Sequence, residues 1–165
     1  MKKCRMISID SSTTKTAFAI FDNGDYIESD LISYSDNMDE RFHKMVKKIW
    51  EILNEYKPDV LYIEDTVVTR NAQTQRFLTR LQGVVYVYCV LNDCEFNTIR
   101  PTEWRKLVCI DQSKKKRQQL KQEAIDKVKE LLNIDVNDDE AESILIGYAA
   151  IKKYNPTIQI ANNKS

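Results

Sequence analysis

The chain has 165 residues, a formal net charge of zero, 42% hydrophobic residues and 30% charged residues. This size and composition are typical of one globular domain, and the zero net charge argues by itself against a nucleic-acid-binding protein. No apolar stretch reaches the roughly 18 residues that a membrane span needs, and the start lacks the long apolar region of a signal peptide. We therefore expect a cytoplasmic protein without a membrane partner.

The hydrophobic pattern predicts three strands joined by short turns at the start of the chain. Apolar runs cover residues 5–9, 16–21 and 26–33, and the polar turn 22–25 separates the last two. Such runs joined by short turns predict an antiparallel meander.

Helices and apolar strands then alternate. Apolar residues at helical spacing predict a helix over 38–56, which Pro58 ends. A short, strongly apolar strand follows at 60–64, and a second helix covers about 71–91. The order of elements predicts an α/β fold with a five-stranded mixed sheet, in which three antiparallel strands are followed by parallel ones and helices cover both faces.

The last third of the chain is predicted as one strand and three helical segments. The strand covers 96–100, Pro101 starts a short helical turn, and longer helices cover 113–133 and 138–154. Residues able to cap these two helices are Ser113 and Asp138. Between 100 and 129 there are ten basic and four acidic residues, which predicts a phosphate-binding surface or merely a solvated helix face.

Acidic residues end two predicted strands and line one helix face. Asp10 ends the first strand, Glu64 ends the fourth, and Asp139 and Glu142 lie three apart on the last helix. If the first and fourth strands are neighbours, the helix can bring its acids against the strand ends. Clustered carboxylates repel one another unless cations neutralise them, and oxygen ligands suit Mg²⁺, with Mn²⁺ as a substitute. Each acid alone also has an ordinary explanation, as a turn residue or a partner of the helix dipole.

The cysteines do not form a zinc site. Cys4, Cys89, Cys94 and Cys109 include no C-x-x-C pair, and the one histidine is His43. Because zinc sites need tight Cys/His spacing, we predict that the protein binds no zinc. We expect reduced cysteines that mostly fill the core.

An ordered set of segments resembles the RuvC family of Holliday junction resolvases, which has a ribonuclease-H-like fold. Ser8-Ile9-Asp10-Ser11 with Thr16-Ala17 is similar to the motif I-D-P-S-x-x-x-T-G of the family's first strand, and Asp139-Glu140-Ala141-Glu142 is similar to D-E-A-D. The other segments that resemble the family are 60–64 with 70–72, 82–84, and 101–106 with the lysines at 114–116. Departures from the pattern are Ser11, Ala17, Glu142 and Val67, the last where some members have an aromatic wedge.

The resemblance implies one nuclease domain over 1–155, which the polar tail 156–165 follows. The chain also resembles phage-type members of the family, which would act in the host cytoplasm. It implies a homodimer that binds a four-way DNA junction and nicks two strands symmetrically with two Mg²⁺ per active site, the helix at 71–91 forming much of the dimer interface. The implied catalytic residues are Asp10, Glu64, Asp139, Glu142 and Lys115, the four acids being the metal ligands. The implied DNA-binding residues are Arg70, Arg76, Arg105, Lys106, Lys114, Lys116 and Arg117.

Other functions stay open at this stage. Residues 9–17 also resemble the first phosphate loop of actin-like ATPases and sugar kinases, but those proteins need a second domain and a glycine-rich second loop. Another ribonuclease-H-like nuclease could act on flaps or RNA–DNA hybrids, and a silent DNA-binding module is disfavoured because an idle acid cluster costs stability. Trp104 is predicted to anchor a short helix on the core, the alternative being stacking on a base.

Overall fold

The computed structural model describes residues 4–66 and 70–154, so Val67 and the tail 156–165 lie outside the described residues. The elements, in chain order, are β1 (Arg5–Ser11), β2 (Lys15–Asp22), β3 (Asp25–Ser33), α1 (Met38–Tyr56), β4 (Val60–Glu64), α2 (Ala72–Leu91), β5 (Glu95–Ile99), α3 (Pro101–Leu107), α4 (Arg117–Leu132) and α5 (Asp138–Tyr154). Each strand and helix predicted from the sequence is present, with ends that move by a few residues.

The five strands form one mixed sheet in the order β3-β2-β1-β4-β5. The first three pair antiparallel, whereas β4 lies parallel to both β1 and β5. This confirms the predicted meander and fulfils the condition, stated for the acids, that the first and fourth strands are neighbours. In the β1–β4 register Ile9 stands beside Ile63, which places Asp10 and Glu64 next to each other at the carboxyl ends of their strands.

Helices cover both faces of the sheet, as predicted. Side chains alternate along a strand, so Ile7 and Ile9 face one layer while Ser8 and Asp10 face the other. The first layer packs against α1 and α2 and is built from residues such as Leu53 and Leu81. The second packs against α3, α4 and α5. Glu64, two residues after Tyr62 of the second layer, shares its side of the sheet with Asp10.

The helix starts differ from the predictions. Ser113 does not cap α4, which begins only at Arg117; the side chain of Gln119 instead accepts a hydrogen bond from the Lys116 backbone N–H at 2.8 Å. Asp138 does not cap α5 either.

The cap of α5 is Asn137, whose Oδ1 accepts from the backbone N–H of Glu140 at 2.9 Å. Asn and Asp cap equally well, so their order in the sequence did not separate them. Both Asp138 and Asp139 therefore lie in the first helical turn, where the helix dipole favours negative charge.

Helix α5 lies close to the sheet because a glycine faces it. A Cβ placed on Gly147 would lie 2.1 Å from the Phe21 ring and 2.9 Å from Ser8 Oγ. The Ser8 hydroxyl in turn donates to the Ser143 carbonyl at 2.7 Å. This close approach fixes where the acids at the start of α5 stand relative to β1.

The cysteines differ in burial. All four cysteines are free, but only Cys89 and Cys94 are buried, so the prediction that the cysteines mostly fill the core is right for these two and wrong for Cys4 and Cys109. None of the helices in the described ranges is long and apolar enough to cross a membrane.

Candidate active site

The acids at the strand ends are partly buried and carry no ion pair to any described residue. Asp10 and Glu64 point to the layer of α3, α4 and α5. The Trp104 indole Nε1–H donates to Glu64 Oε2 at 2.6 Å, and the indole is fully buried. Trp104 thus anchors α3 on the core, as predicted, and holds one strand acid in place; its burial excludes stacking on a base.

Burial and mutual repulsion raise the pKa values of both strand acids. Burial is the largest cause for Asp10, whose pKa lies well above its ordinary value, and the charges of Glu64, Glu142 and Asp139 raise it further. Burial also raises the pKa of Glu64 to about 7, although the hydrogen bond from Trp104 lowers it. The positive charges that the fold places near these two acids therefore do not outweigh burial and mutual repulsion.

The acids on α5, in contrast, are held by cations. Arg105 Nη2 lies 3.0 Å from Glu142 Oε1. Lys15 Nζ lies 3.4 Å from Asp139 Oδ2, and Lys121 Nζ lies 3.7 Å from Asp139 Oδ1. Both carboxylates of the predicted D-x-x-E pair are therefore neutralised by the chain itself.

The predicted metal ligands meet at one end of the sheet, but they do not form a closed cage. Within the described ranges, no three acidic, histidine or cysteine side chains are gathered closely enough to enclose an ion. The donor set nevertheless fits a hard divalent cation, because it consists of carboxylate oxygens and its two strand members have raised pKa values that a bound cation would reverse.

The predicted catalytic lysine has a different neighbour. Lys115 Nζ lies 2.7 Å from Glu123 Oε1 of α4. Lys121 and Lys15 are the lysines that the fold places against the acids. Sequence reasoning singled out neither lysine. Lys15 is the first residue of β2 and fills a variable position of the first-strand motif, and the one signal for Lys121 is its position one helical turn after Arg117.

The predicted DNA-binding residues form two groups. Lys106, Lys114, Lys116 and Arg117 are exposed on the segment from α3 to α4, and the charge of Arg117 reaches Glu64 and lowers its pKa. Arg105 belongs to the same segment, but it pairs with Glu142 and stacks on Trp104, its guanidinium carbon 4.7 Å from the ring centre.

The second group lies at the start of α2. Arg70 and Arg76 are exposed there, and together with Arg80 they line a shallow hollow. Sequence reasoning did not single out Arg80, although its spacing of four from Arg76 places both on one helix face.

Comparison with known proteins connects this geometry to a family. Among curated protein sequences, none matches the chain significantly. The solved structure of Thermus thermophilus RuvC in complex with a Holliday junction substrate is similar, with a TM-score of 0.71, 13% identity, and coverage of 93% of this chain and 97% of that one. The yeast mitochondrial Holliday junction resolvase Ydc2 is also similar, with a TM-score of 0.59, 15% identity, and coverage of 88% and 77%.

At these identities the two likenesses show the shared fold, which is the predicted ribonuclease-H-like one. The family model described as crossover junction endodeoxyribonuclease RuvC matches residues 6–148, a span that includes both strand acids and both acids of α5. The chain therefore belongs to the RuvC family.

Proposed function

We propose that this protein is a divalent-metal-dependent endonuclease that resolves four-way DNA junctions. The observation that carries the proposal is the meeting of Asp10 and Glu64, from neighbouring parallel strands, with Asp139 and Glu142, from a helix packed on the same face. Membership of a family of crossover junction endodeoxyribonucleases supports the substrate class. A similar solved structure, that of T. thermophilus RuvC, is a complex with a Holliday junction substrate.

We assign different roles to the acids, Trp104 and Lys115 at this site. Asp10, Glu64, Asp139 and Glu142 would hold two Mg²⁺ or Mn²⁺ ions, which when bound would supply an activated water and stabilise the leaving oxygen. Trp104 keeps the Glu64 carboxylate turned towards its neighbours. For Lys115 to contact the scissile phosphate, its side chain must leave Glu123, with which it forms an ion pair here.

The basic surface beside the site suits a phosphate backbone. The exposed side chains of Lys106, Lys114, Lys116 and Arg117 follow one another from the end of α3 to the start of α4. Contacts of this kind give affinity without sequence preference. The arginines at the start of α2, Arg70 and Arg76, extend the proposed surface.

Symmetric nicking needs two active sites, and the outer face of α2 supports a homodimer. Its second half exposes Tyr86, Val87, Val90 and Leu91, the last two 60% and 70% exposed. A continuous apolar stripe on a helix marks a protein contact more often than a solvated face. The Val90→Asp variant is expected to sediment as a monomer, whereas Ile27→Asp, at an isolated exposed residue of β3, should leave the mass unchanged. Equal mass for both variants would contradict this interface.

The decisive experiment incubates the protein with four-way, three-way, flap, RNA–DNA hybrid and linear substrates, with and without Mg²⁺. We expect Mg²⁺-dependent paired nicks in the four-way junction, loss of cleavage in the Asp10→Asn variant, and retained junction binding by that variant in a gel-shift assay. Preferential cleavage of flaps or hybrids would assign the protein to another ribonuclease-H-like activity. ATP binding without cleavage of any substrate would favour the phosphate-loop alternative.

A further inference from the structure

Two lysines from different elements hold the same carboxylate of α5. Lys121, on α4, reaches Asp139 Oδ1 at 3.7 Å and also pairs with Asp138. Lys15, the first residue of β2, reaches Asp139 Oδ2 at 3.4 Å. Each oxygen of Asp139 therefore faces its own ammonium group, and a metal ion that binds this carboxylate must take the place of at least one of them.

Lys121 is the more firmly placed of the two lysines. Its side chain is 24% exposed, against 46% for Lys15. Its ammonium group also contacts two neighbouring carboxylates, those of Asp138 and Asp139, whereas Lys15 contacts Asp139.

The strand half of the cluster has no such internal cation. Within the described residues, Asp10 and Glu64 form no ion pair, and the one hydrogen-bond donor to Glu64 is the neutral indole of Trp104. A divalent ion arriving at the metal-free site would meet strand acids without an ion-pair partner among the described residues and helix acids that are already ion-paired.

We propose that Lys121, with Lys15, occupies the helix half of the cluster in place of a second divalent ion, so that one ion binds at the strand acids and the next binds only in exchange for the lysine. This inference rests on the proposed function, because it assumes that the acids bind divalent cations. Lys121 is then a positioning residue, which holds Asp139 towards Asp10 in the metal-free protein.

The test is Mn²⁺ binding to the full chain without DNA, measured by titration calorimetry and by electron paramagnetic resonance of the free ion. We expect two classes of site in the wild-type protein. Lys121→Ala should tighten the weaker class by about tenfold, because it removes a competing unit charge from Asp139, and should change the tighter class by less than about twofold. Lys121→Gln, which keeps most of the side chain's length, should show the same tightening and so exclude an effect of lost bulk.

Lys127→Ala provides the matched control. Lys127 lies on the same helix, its side chain is 27% exposed, and it pairs with Glu130 at 3.1 Å, away from the acid cluster. This variant should bind Mn²⁺ like the wild type. Circular dichroism should show the same helix content for all variants.

Several results would overturn the exchange: a single class of wild-type sites, no binding, or an unchanged or weakened second class in both Lys121 variants. These outcomes are separable from failure of the proposed function. If the protein nicks junctions but its Lys121 variants bind Mn²⁺ like the wild type, only the proposed exchange is wrong. A protein that shows the exchange but leaves every branched substrate intact rejects only the nuclease.

Discussion

Asp10 and Glu64, at the strand ends, differ from Asp139 and Glu142, on α5, in the positive charge that the fold supplies to them. The strand acids are partly buried beside one another with raised pKa values and a neutral donor. The helix acids stand near the start of a helix and pair with lysine and arginine side chains. The strand carboxylates therefore repel one another without an ion-pair partner among the described residues, whereas each helix carboxylate is paired with a cation of the chain. Under the proposed function, a first divalent ion would bind at the strand acids, and a second would bind at the helix acids only by displacing their cations.

Cleavage should show the largest contrast between the halves. Glu64→Gln is expected to lower the single-turnover rate of junction cleavage by about 10³-fold or more, since each lost metal contact removes several kcal/mol of charge stabilisation. Asp139→Asn should lower the rate less, by about 10²-fold, because lysines already balance the charge of this acid. Equal losses for the two variants would remove the distinction between strand and helix acids.

The spacing between the two halves depends on the close approach of α5 at Gly147. Gly147→Ala would place a methyl group against Phe21, and the helix must move outward, at an expected loss of about 1–3 kcal/mol in unfolding free energy. Gly83 is also helical, but a Cβ added there would have no atom within 4 Å, so Gly83→Ala should be neutral or stabilise by about 0.5–1 kcal/mol. Urea denaturation of both variants measures the difference, and similar stabilities would mean that α5 tolerates displacement.

Replacing glutamate by glutamine should change the free energy of unfolding with opposite sign in the two halves of the acid cluster, at Glu64 and at Glu142. In the metal-free protein the pKa of Glu64 is raised to about 7, so this group adds stability at low pH that is lost as the pH rises through about 7. Glu64→Gln cannot ionise and still accepts the hydrogen bond from Trp104. At pH 8 and with EDTA we expect it to exceed the wild type by about 2 kcal/mol, and to equal it near pH 4.

Glu142→Gln tests the other half under the same conditions. It removes the 3.0 Å ion pair with Arg105 and leaves a mostly buried guanidinium without its partner, which should cost about 1–3 kcal/mol at pH 8. Thermal melts of both variants with EDTA over pH 4–8 provide the measurement. If Glu142→Gln is stabilised as much as Glu64→Gln, the helix acids are as poorly balanced by positive charge as the strand acids.

The smallest expected effect concerns the neutral donor to the strand half. Trp104→Phe keeps an aromatic ring in the core but removes the 2.6 Å hydrogen bond to Glu64. The loss should cost about 1 kcal/mol and raise the pKa of Glu64 further, because the indole stabilises the charged form. Carboxyl carbon chemical shifts followed through a pH titration would detect the change, and an unaltered titration midpoint would contradict the role given to Trp104.

Much of the fold could be predicted because local patterns carry it. The apolar stripe that became α1 is long and periodic, and the runs that became β1 and β4 are short but strongly apolar. Their predicted ends lie within two residues of the observed ones. The starts of α4 and α5 were predicted less well, since several neighbouring residues can each supply a cap and the chain's path selects among them.

The acid cluster could be predicted only in part. The positions of Asp10 and Glu64 follow from strand ends, and the shared face of Asp139 and Glu142 follows from helical spacing. Their cations come from α3, α4 and the start of β2, at sequence separations that no local pattern encodes.

The sequence by itself determined the order of strands and helices, the placement of acids at strand ends and on one helix face, and the family to which the chain belongs. These features depend on local patterns, namely the apolar periods of strands and helices and the short motifs at their ends, so they are visible along the chain. Only the tertiary structure decided that Lys121 and Lys15, rather than Lys115, meet Asp139, and that Trp104 binds Glu64. Such pairings depend on how layers of the fold stack, because side chains distant in the chain become neighbours only after the sheet and its helices have packed.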